Sequence, residues 1–241
     1  ISVDTAVDIA KESADIILLE KDLNVLIDGV EEGRKTFANL MKYIKLTSSL
    51  NFGEVLAVMV ASLAVPFLPE TPIQLLFEGM LYDLGQMTLP FDNVDKNIIK
   101  RPKKLDIKSL KRFMFFMGPI SAVFNLLVFV ALWFLFKVRD ASTYQTIWFC
   151  YSIVANLLGM HIIRTAKIPF IQSNANKVVY ISSFSLILIA LILPFTPLGA
   201  LIGLIPIAMK YIALIFVIAI MFCVVTLFAK KFYIKKFREW I

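Results

Sequence analysis

The stretch Leu46–Val65, LTSSLNFGEVLAVMVASLAV, reads as an unbroken membrane helix except for Asn51 and Glu54. A charged side chain at the bilayer centre costs about 2.5–3.5 kcal/mol on insertion scales, so its presence points to function. The two residues are three apart and share a helical face, about 60° from each other around the axis. A second apolar stretch follows across a short turn and carries Glu78, Tyr82, Asp83 and Gln86, with Gly79 and Gly85 flanking Asp83. Asp83 and Gln86 again share a face. Carboxylates and an amide oxygen, with neither thiol nor imidazole, are the donors of a hard divalent cation. Glycines in a short, proline-bounded span allow local unwinding, which would add main-chain carbonyls to the set. The candidate metal ligands are therefore Asn51, Glu54 and Asp83, with Glu78, Tyr82 and Gln86 as weaker ones. Glu78 faces about 140° away from Asp83 on a helix, so it is expected on an access path or near a lipid headgroup. The bland alternative has Glu54 and Asp83 protonated or ion-paired, merely joining helices. No Lys or Arg lies at that depth in any apolar run, which disfavours the pairing.

Such residues must be held by a membrane scaffold. The 241 residues are 59% hydrophobic with a mean hydropathy of +0.79. Soluble domains sit nearer 45–50% apolar. About 20 apolar residues cross a roughly 30 Å core. Six runs qualify, at about 45–68, 72–90, 113–136, 146–164, 178–195 and 209–229; the second is marginal, because Glu78 and Asp83 interrupt it. Of the 25 basic residues, 22 fall in segments on one side and only Lys137, Arg139 and Lys210 on the other. The excess of basic residues places both chain ends in the cytoplasm. The basic tail AKKFYIKKFREWI is expected to be a simple interfacial anchor. Cys150 and Cys223 are far apart inside apolar runs and read as small buried hydrophobes rather than a disulfide or metal pair. His161 reads as a satisfied structural group.

The first 44 residues differ. Charges mix with short apolar runs in ISVDTAVDIAKESADIILLEKDL, as in a soluble α/β fragment, with AVDIAKESA as a helix and DIILL as a buried strand. From Leu23 onward apolar residues recur largely at helical spacing and no proline intervenes before Pro66. One helix over 24–65 is predicted, roughly 60 Å long at 1.5 Å per residue. Half of it would stand outside the membrane as a stalk. Residues 1–22 would then be a soluble remnant, 23–44 the stalk, and 45–241 the transmembrane domain: a mainly α, polytopic chain. It begins at Ile1 without Met and is expected to be a piece of something longer.

These stretches, AKESADIILLEKDLNVLIDGVEEGR, then NFGE, then PIQLLFEGMLYD, resemble the C-terminal part of cation-pumping P-type ATPases across essentially the whole chain. The resemblance implies the end of the phosphorylation domain, a stalk, and the last six of ten membrane helices. It carries the ion-binding roles of the family onto Asn51, Glu54 and Asp83. Within the family, LPFDNVDKNIIKRPKK, FMFFMGPISAVF and HIIRTAKIPFIQS look like the magnesium-transporting branch, which imports Mg²⁺ across bacterial plasma membranes. Two positions depart from that branch: Glu54 is what calcium pumps have there, and Gly79 stands where relatives usually have Asn.

What the resemblance implies is the membrane part of an ATP-driven Mg²⁺ translocase. Its partners would be the preceding part of the same pump, the lipid bilayer and a divalent cation, with no nucleic acid. The 241 residues contain no Asp-Lys-Thr-Gly-Thr segment, so this stretch alone is not expected to hydrolyse ATP. A calcium or other divalent-cation pump is the nearest alternative. A channel, a secondary transporter or a non-catalytic scaffold is a more distant one.

Overall fold

The computed structural model describes residues 1–20 and 22–240, apart from the side chains of Leu23 and Asn97. At the start, strand β1 (Ser2–Val3) pairs in parallel with β2 (Ile17–Leu18), and the five-residue helix α1 (Asp8–Glu12) crosses between them. Helix α2 then runs unbroken over Leu23–Ala64, 42 residues and so about 63 Å. Its start is set by Asp22, whose carboxylate accepts from the Asn24 backbone N–H at 2.8 Å. Its end is set by Pro66, which pushes Val65 into an extended conformation.

Helix α3 (Pro72–Gln86) opens with a capping box: Thr71 accepts from the Gln74 N–H while the Gln74 side chain accepts from the Thr71 N–H. Then come a 3₁₀ turn at Leu89–Phe91, the short α4 (Lys96–Ile99), and α5 (Ile107–Val130), which continues as a π-helical turn over Ala131–Leu135. The remaining helices are α6 (Ala141–Ile163), α7 (Lys177–Ile192), the short α8 (Pro197–Leu201) and α9 (Met209–Phe237). Among the described residues, five helical segments are long and apolar enough to cross a membrane: Asn24–Ala64, Ile107–Leu135, Ala141–Ile163, Lys177–Phe195 and Met209–Phe237. The chain is thus a mainly α, polytopic membrane fragment. The expected span at 72–90 is the exception. Its helix stops at Gln86, after 15 residues, and is short of the roughly 20 that a spanning helix needs.

Helix α6 is the axis of the bundle, with 94% of its most apolar window buried. Helices α2 and α5 meet at backbone range: a Cβ added to Gly53 would stand 2.4 Å from the Gly118 carbonyl oxygen and 2.7 Å from Ser121 Cβ. Small residues permit this approach, as is usual where membrane helices pack closely.

Two polar layers close the bundle at its ends. At one end Gln145 donates to the Leu68 carbonyl (2.8 Å), and the Ile205 N–H donates to the Thr146 hydroxyl (3.1 Å). At the other, the buried carboxylate of Asp92 accepts from Lys42 Nζ at 2.6 Å and from Arg164 Nη1 at 3.0 Å. Lys230 Nζ donates to the carbonyls of Ile162, Thr165 and Lys167, where α6 ends and its last carbonyls lack helical partners. The basic tail is therefore not a simple interfacial anchor. Trp240 is 4% exposed, donates from Nε1 to the Ile163 carbonyl, and packs edge-on against Phe113 at 5.0 Å. An aromatic ring and a buried ammonium with three acceptors make it part of the core. His161 is buried, with Nε2 2.7 Å from the Ser183 hydroxyl and its ring stacked on Tyr180. Both cysteines are free thiols.

Candidate cation site

The unbroken α2 carries Asn51 and Glu54 to the face opposite α3. Helix α3, its register fixed by the Thr71 cap, offers Glu78, Tyr82 and Asp83 back, and α6 closes the space with Ser152 and Asn156. A cavity of about 280 Å³ lies between them, lined by Asn51, Glu54, Glu78, Gly79, Tyr82, Asp83 and Asn156 together with Val55 and Leu75. Asn156 is one of its polar walls. Ser152, Asn156 and Glu78 are among the polar side chains that face the Glu54 carboxylate.

The residues do not contribute equally. Asn51 and Asp83 sit at the exposed edge of the cavity. Asp83 also faces an open apolar groove along α3, with Leu76, Met80 and Leu84. Glu78 is the opposite: 3% exposed, with both carboxylate oxygens free of hydrogen-bond partners. It lies against Glu54, and not at a lipid headgroup. Tyr82 is buried, its hydroxyl unpartnered. Gln86 stands apart, one turn further along, where its side-chain oxygen accepts from the Thr47 hydroxyl at 2.5 Å. Unwinding around Gly79 and Gly85 does not occur, because α3 is helical throughout Pro72–Gln86. Gly85 has a packing reason instead: a Cβ there would stand 2.5 Å from Leu157 Cδ2 on α6.

One further residue joins the group. Glu70, in the loop between α2 and α3, turns inward and is 8% exposed. One oxygen each from Glu54, Glu70 and Glu78 lies within 4.8 Å of the others. Two unit charges at that separation repel by about 3.5 kcal/mol at an effective dielectric near 20. Among the described residues, no Lys, Arg or His forms an ion pair with any of the three. Ionised, the trio needs positive charge from elsewhere. Burial pushes the Glu70 carboxyl, in the loop and outside the spanning helices, up to about 7. The only sequence signal for Glu70 is an acid between two prolines in PFLPETP, a pattern that otherwise spells a turn.

All the donors around this cavity are oxygen, which suits a hard divalent cation and gives nothing to a soft one. Comparison with known proteins agrees in kind. The family model described as "Cation transporting ATPase, C-terminus" matches residues 67–232. The chain is 44% identical over 243 residues to "Magnesium-transporting ATPase, P-type 1" of Salmonella typhimurium strain LT2, covering 100% of this chain and 27% of that protein. It is 44% identical over 240 residues to the protein of the same description in Escherichia coli strain K12, covering 98% of this chain and 27% of the relative. A "Calcium-transporting ATPase 1" of Bacillus cereus is 30% identical over 132 residues, 53% of this chain and 15% of that protein. The chain thus spans about a quarter of the length of the two magnesium-transporting relatives.

Proposed function

The chain belongs to the cation-transporting ATPase family through its C-terminal part, and on that premise we propose that it is the C-terminal membrane portion of an ATP-driven importer of Mg²⁺ in a bacterial plasma membrane. The carrying observation is the 44% identity to magnesium-transporting P-type ATPases along the entire chain. In this reading residues 1–22 end a soluble phosphorylation domain, 23–44 form the stalk, and 45–241 form the membrane domain, with both ends cytoplasmic. ATP is hydrolysed by the preceding part of the same pump.

The transported ion enters as cargo at Asn51, Glu54 and Asp83. Mg²⁺ requires about six oxygens near 2.0–2.1 Å and sheds its water reluctantly. A cavity of about 280 Å³ has room for a partly hydrated ion against those three side chains. The exposed positions of Asn51 and Asp83, and the apolar groove beside Asp83, suit a helix from the preceding part that completes the site. Because α2 is one continuous helix from stalk to Glu54, a tilt imposed on its outer half by phosphorylation displaces Asn51 and Glu54 relative to α3.

The test is ATP hydrolysis by the full-length pump in proteoliposomes, titrated with divalent ions. Mg²⁺ stimulation is expected, and Asp83→Asn abolishes it; unchanged activity in that variant removes Asp83 from the ligands. The abundance of carboxylate, with Glu54 and Glu78 in one cavity, favours a second reading in which the cargo is Ca²⁺, an ion that accepts six to eight oxygens. Stimulation by Ca²⁺ and not by Mg²⁺ would establish it and overturn the first.

A further inference from the structure

We propose that Glu54, Glu70 and Glu78 form a second site for a hard divalent cation, at the end of the bundle away from the chain termini, with the loop residue Glu70 as its defining ligand. The proposal depends on the pump reading only for the direction in which the ion travels. The site itself stands on geometry.

The first support is spacing. Oxygens on opposite sides of a cation bound at roughly 2.3–2.6 Å stand about 4.6–5.2 Å apart, and adjacent ones are closer. The three glutamate oxygens, mutually within 4.8 Å, meet that spacing without rearrangement of the backbone. The second support is the lack of any other partner. Among the described residues, both carboxylate oxygens of Glu70, both of Glu78 and one of Glu54 accept no hydrogen bond from outside the trio, although Glu70 and Glu78 are more than nine-tenths buried. Buried acceptors are rarely left so, and five at one place indicate a missing partner.

The third support comes from neutral oxygens. The hydroxyl of Tyr82, 4% exposed and lining a cavity together with Glu54 and Glu78, has no partner among the described residues either. The hydroxyl of Ser152 faces the Glu54 carboxyl from α6. Both are neutral oxygens placed beside the carboxylates.

Glu70 is also held too firmly for a chance approach. Two residues before it, the Leu68 carbonyl accepts from Gln145 on α6. Phe67 packs edge-on against Tyr144 at 5.4 Å, and Thr71 caps α3 immediately after. The loop is thus fastened on both sides of the glutamate and directs it inward. Asn51 and Asp83 lie at the exposed edge of the cavity that Glu54 and Glu78 also line, so the two sites adjoin and Glu54 belongs to both. An ion arriving from the loop end would meet Glu70 and Glu78 first and pass to Asn51 and Asp83 through the shared carboxylate.

The experiment is a Mn²⁺ titration, followed by the electron paramagnetic resonance signal of free Mn²⁺, on the purified full-length pump without nucleotide. Mg²⁺ and Ca²⁺ serve as competitors. The Glu70→Gln variant is expected to lose one bound Mn²⁺ per molecule, or to hold it roughly tenfold or more weakly. Asp83→Asn is expected to keep that Mn²⁺ while losing ion-stimulated ATP hydrolysis. Glu78→Gln repeats the measurement if Glu70→Gln does not fold. Binding equal to wild type in a folded Glu70→Gln or Glu78→Gln protein overturns the proposal and leaves a proton-sharing carboxyl cluster. Loss of the same Mn²⁺ in Asp83→Asn also overturns it, since one joint site would then explain everything. A wild-type pump without divalent-stimulated hydrolysis sinks the transport reading alone, and the Mn²⁺ titration still judges the site.

Discussion

Replacing Asp92 by Asn tests the polar layer that ties the stalk to the bundle. The carboxylate sits between Lys42 of α2 and Arg164 at the end of α6, with side-chain exposures of 0%, 2% and 1% respectively. It also accepts from the Asn176 N–H, which starts α7, so three helices meet at one anion. The amide preserves the shape and removes the charge. Two cations, buried and about 3 Å from the lost carboxylate, then remain uncompensated. Breaking a buried ion pair by removing one partner costs about 3–5 kcal/mol, most of it the stranded charge. At roughly 2–4 °C per kcal/mol for a chain of this size, the melting midpoint should fall by about 6–20 °C. Adding Lys42→Met to Asp92→Asn removes one of the two stranded cations and should recover part of the loss. The readout is thermal unfolding of the detergent-purified protein for the wild type and both variants, at one detergent and salt concentration. A shift under about 2 °C in Asp92→Asn would mean that water or lipid headgroups already compensate Lys42 and Arg164, and the reasoning fails.

Three further outcomes are expected. Gly53→Ala should destabilise by about 1–3 kcal/mol, since the new methyl meets the Gly118 backbone, whereas Gly29→Ala, with nothing within 4 Å, should stabilise by about 0.5–1 kcal/mol; comparative melting of the two checks the opposite signs. Trp240→Ala removes a buried indole and its hydrogen bond to the Ile163 carbonyl and should cost about 3–5 kcal/mol, read as loss of the monodisperse peak on size exclusion after mild heating. The third concerns pH. Glu70 binds its proton more tightly when folded, with its carboxyl raised from 4.5 to about 7. The stability this supplies is present below about 4.5 and is gone once the pH has risen past about 7. In chelator, the wild type should therefore lose melting temperature between pH 5 and 8 relative to Glu70→Gln, whose amide does not titrate; parallel curves would show that Glu70 is not protonated in that window.

What sequence could reveal followed from local rules. The long helix predicted over 24–65 is found at Leu23–Ala64, because its two limits are set by neighbours in the chain: the Asp22 cap and Pro66. The strand read from DIILL is found at Ile17–Leu18, an apolar run between polar turns, but it is not buried as expected: Leu18 alone is covered, while Ile16, Ile17 and Leu19 are exposed. Periodicity also brought Asn51 and Glu54 to one face of α2, and both line the cavity. Where partners lie far apart in sequence, no such rule applies. Lys42, Asp92 and Arg164 are separated by 50 and 72 residues, and each alone reads as an ordinary basic or acidic residue near a membrane surface. The tail misled for a related reason: a run of Lys with aromatics fits an interfacial anchor until one knows that the end of α6 offers it free carbonyls.

Helical angles weighed the carboxylates of α3 differently from their actual environment, and the cause is instructive. Counting 100° per residue puts Glu78 and Asp83 on divergent directions and ties the binding role to the one that shares a face with Gln86. Angles within a helix say nothing about which direction the neighbours occupy. Helix α6 lies on the Glu78 side, so Glu78 is enclosed at 3% exposure, while Asp83 points along the open groove. The loop adds what no periodicity holds: Glu70 has no helical face, and its inward direction comes from Phe67, Leu68 and Thr71 being fastened to other elements. A buried charge therefore has to be located by asking what encloses it. By that criterion the most deeply held acid in this chain's cavity is Glu78, between α2, α6 and the loop.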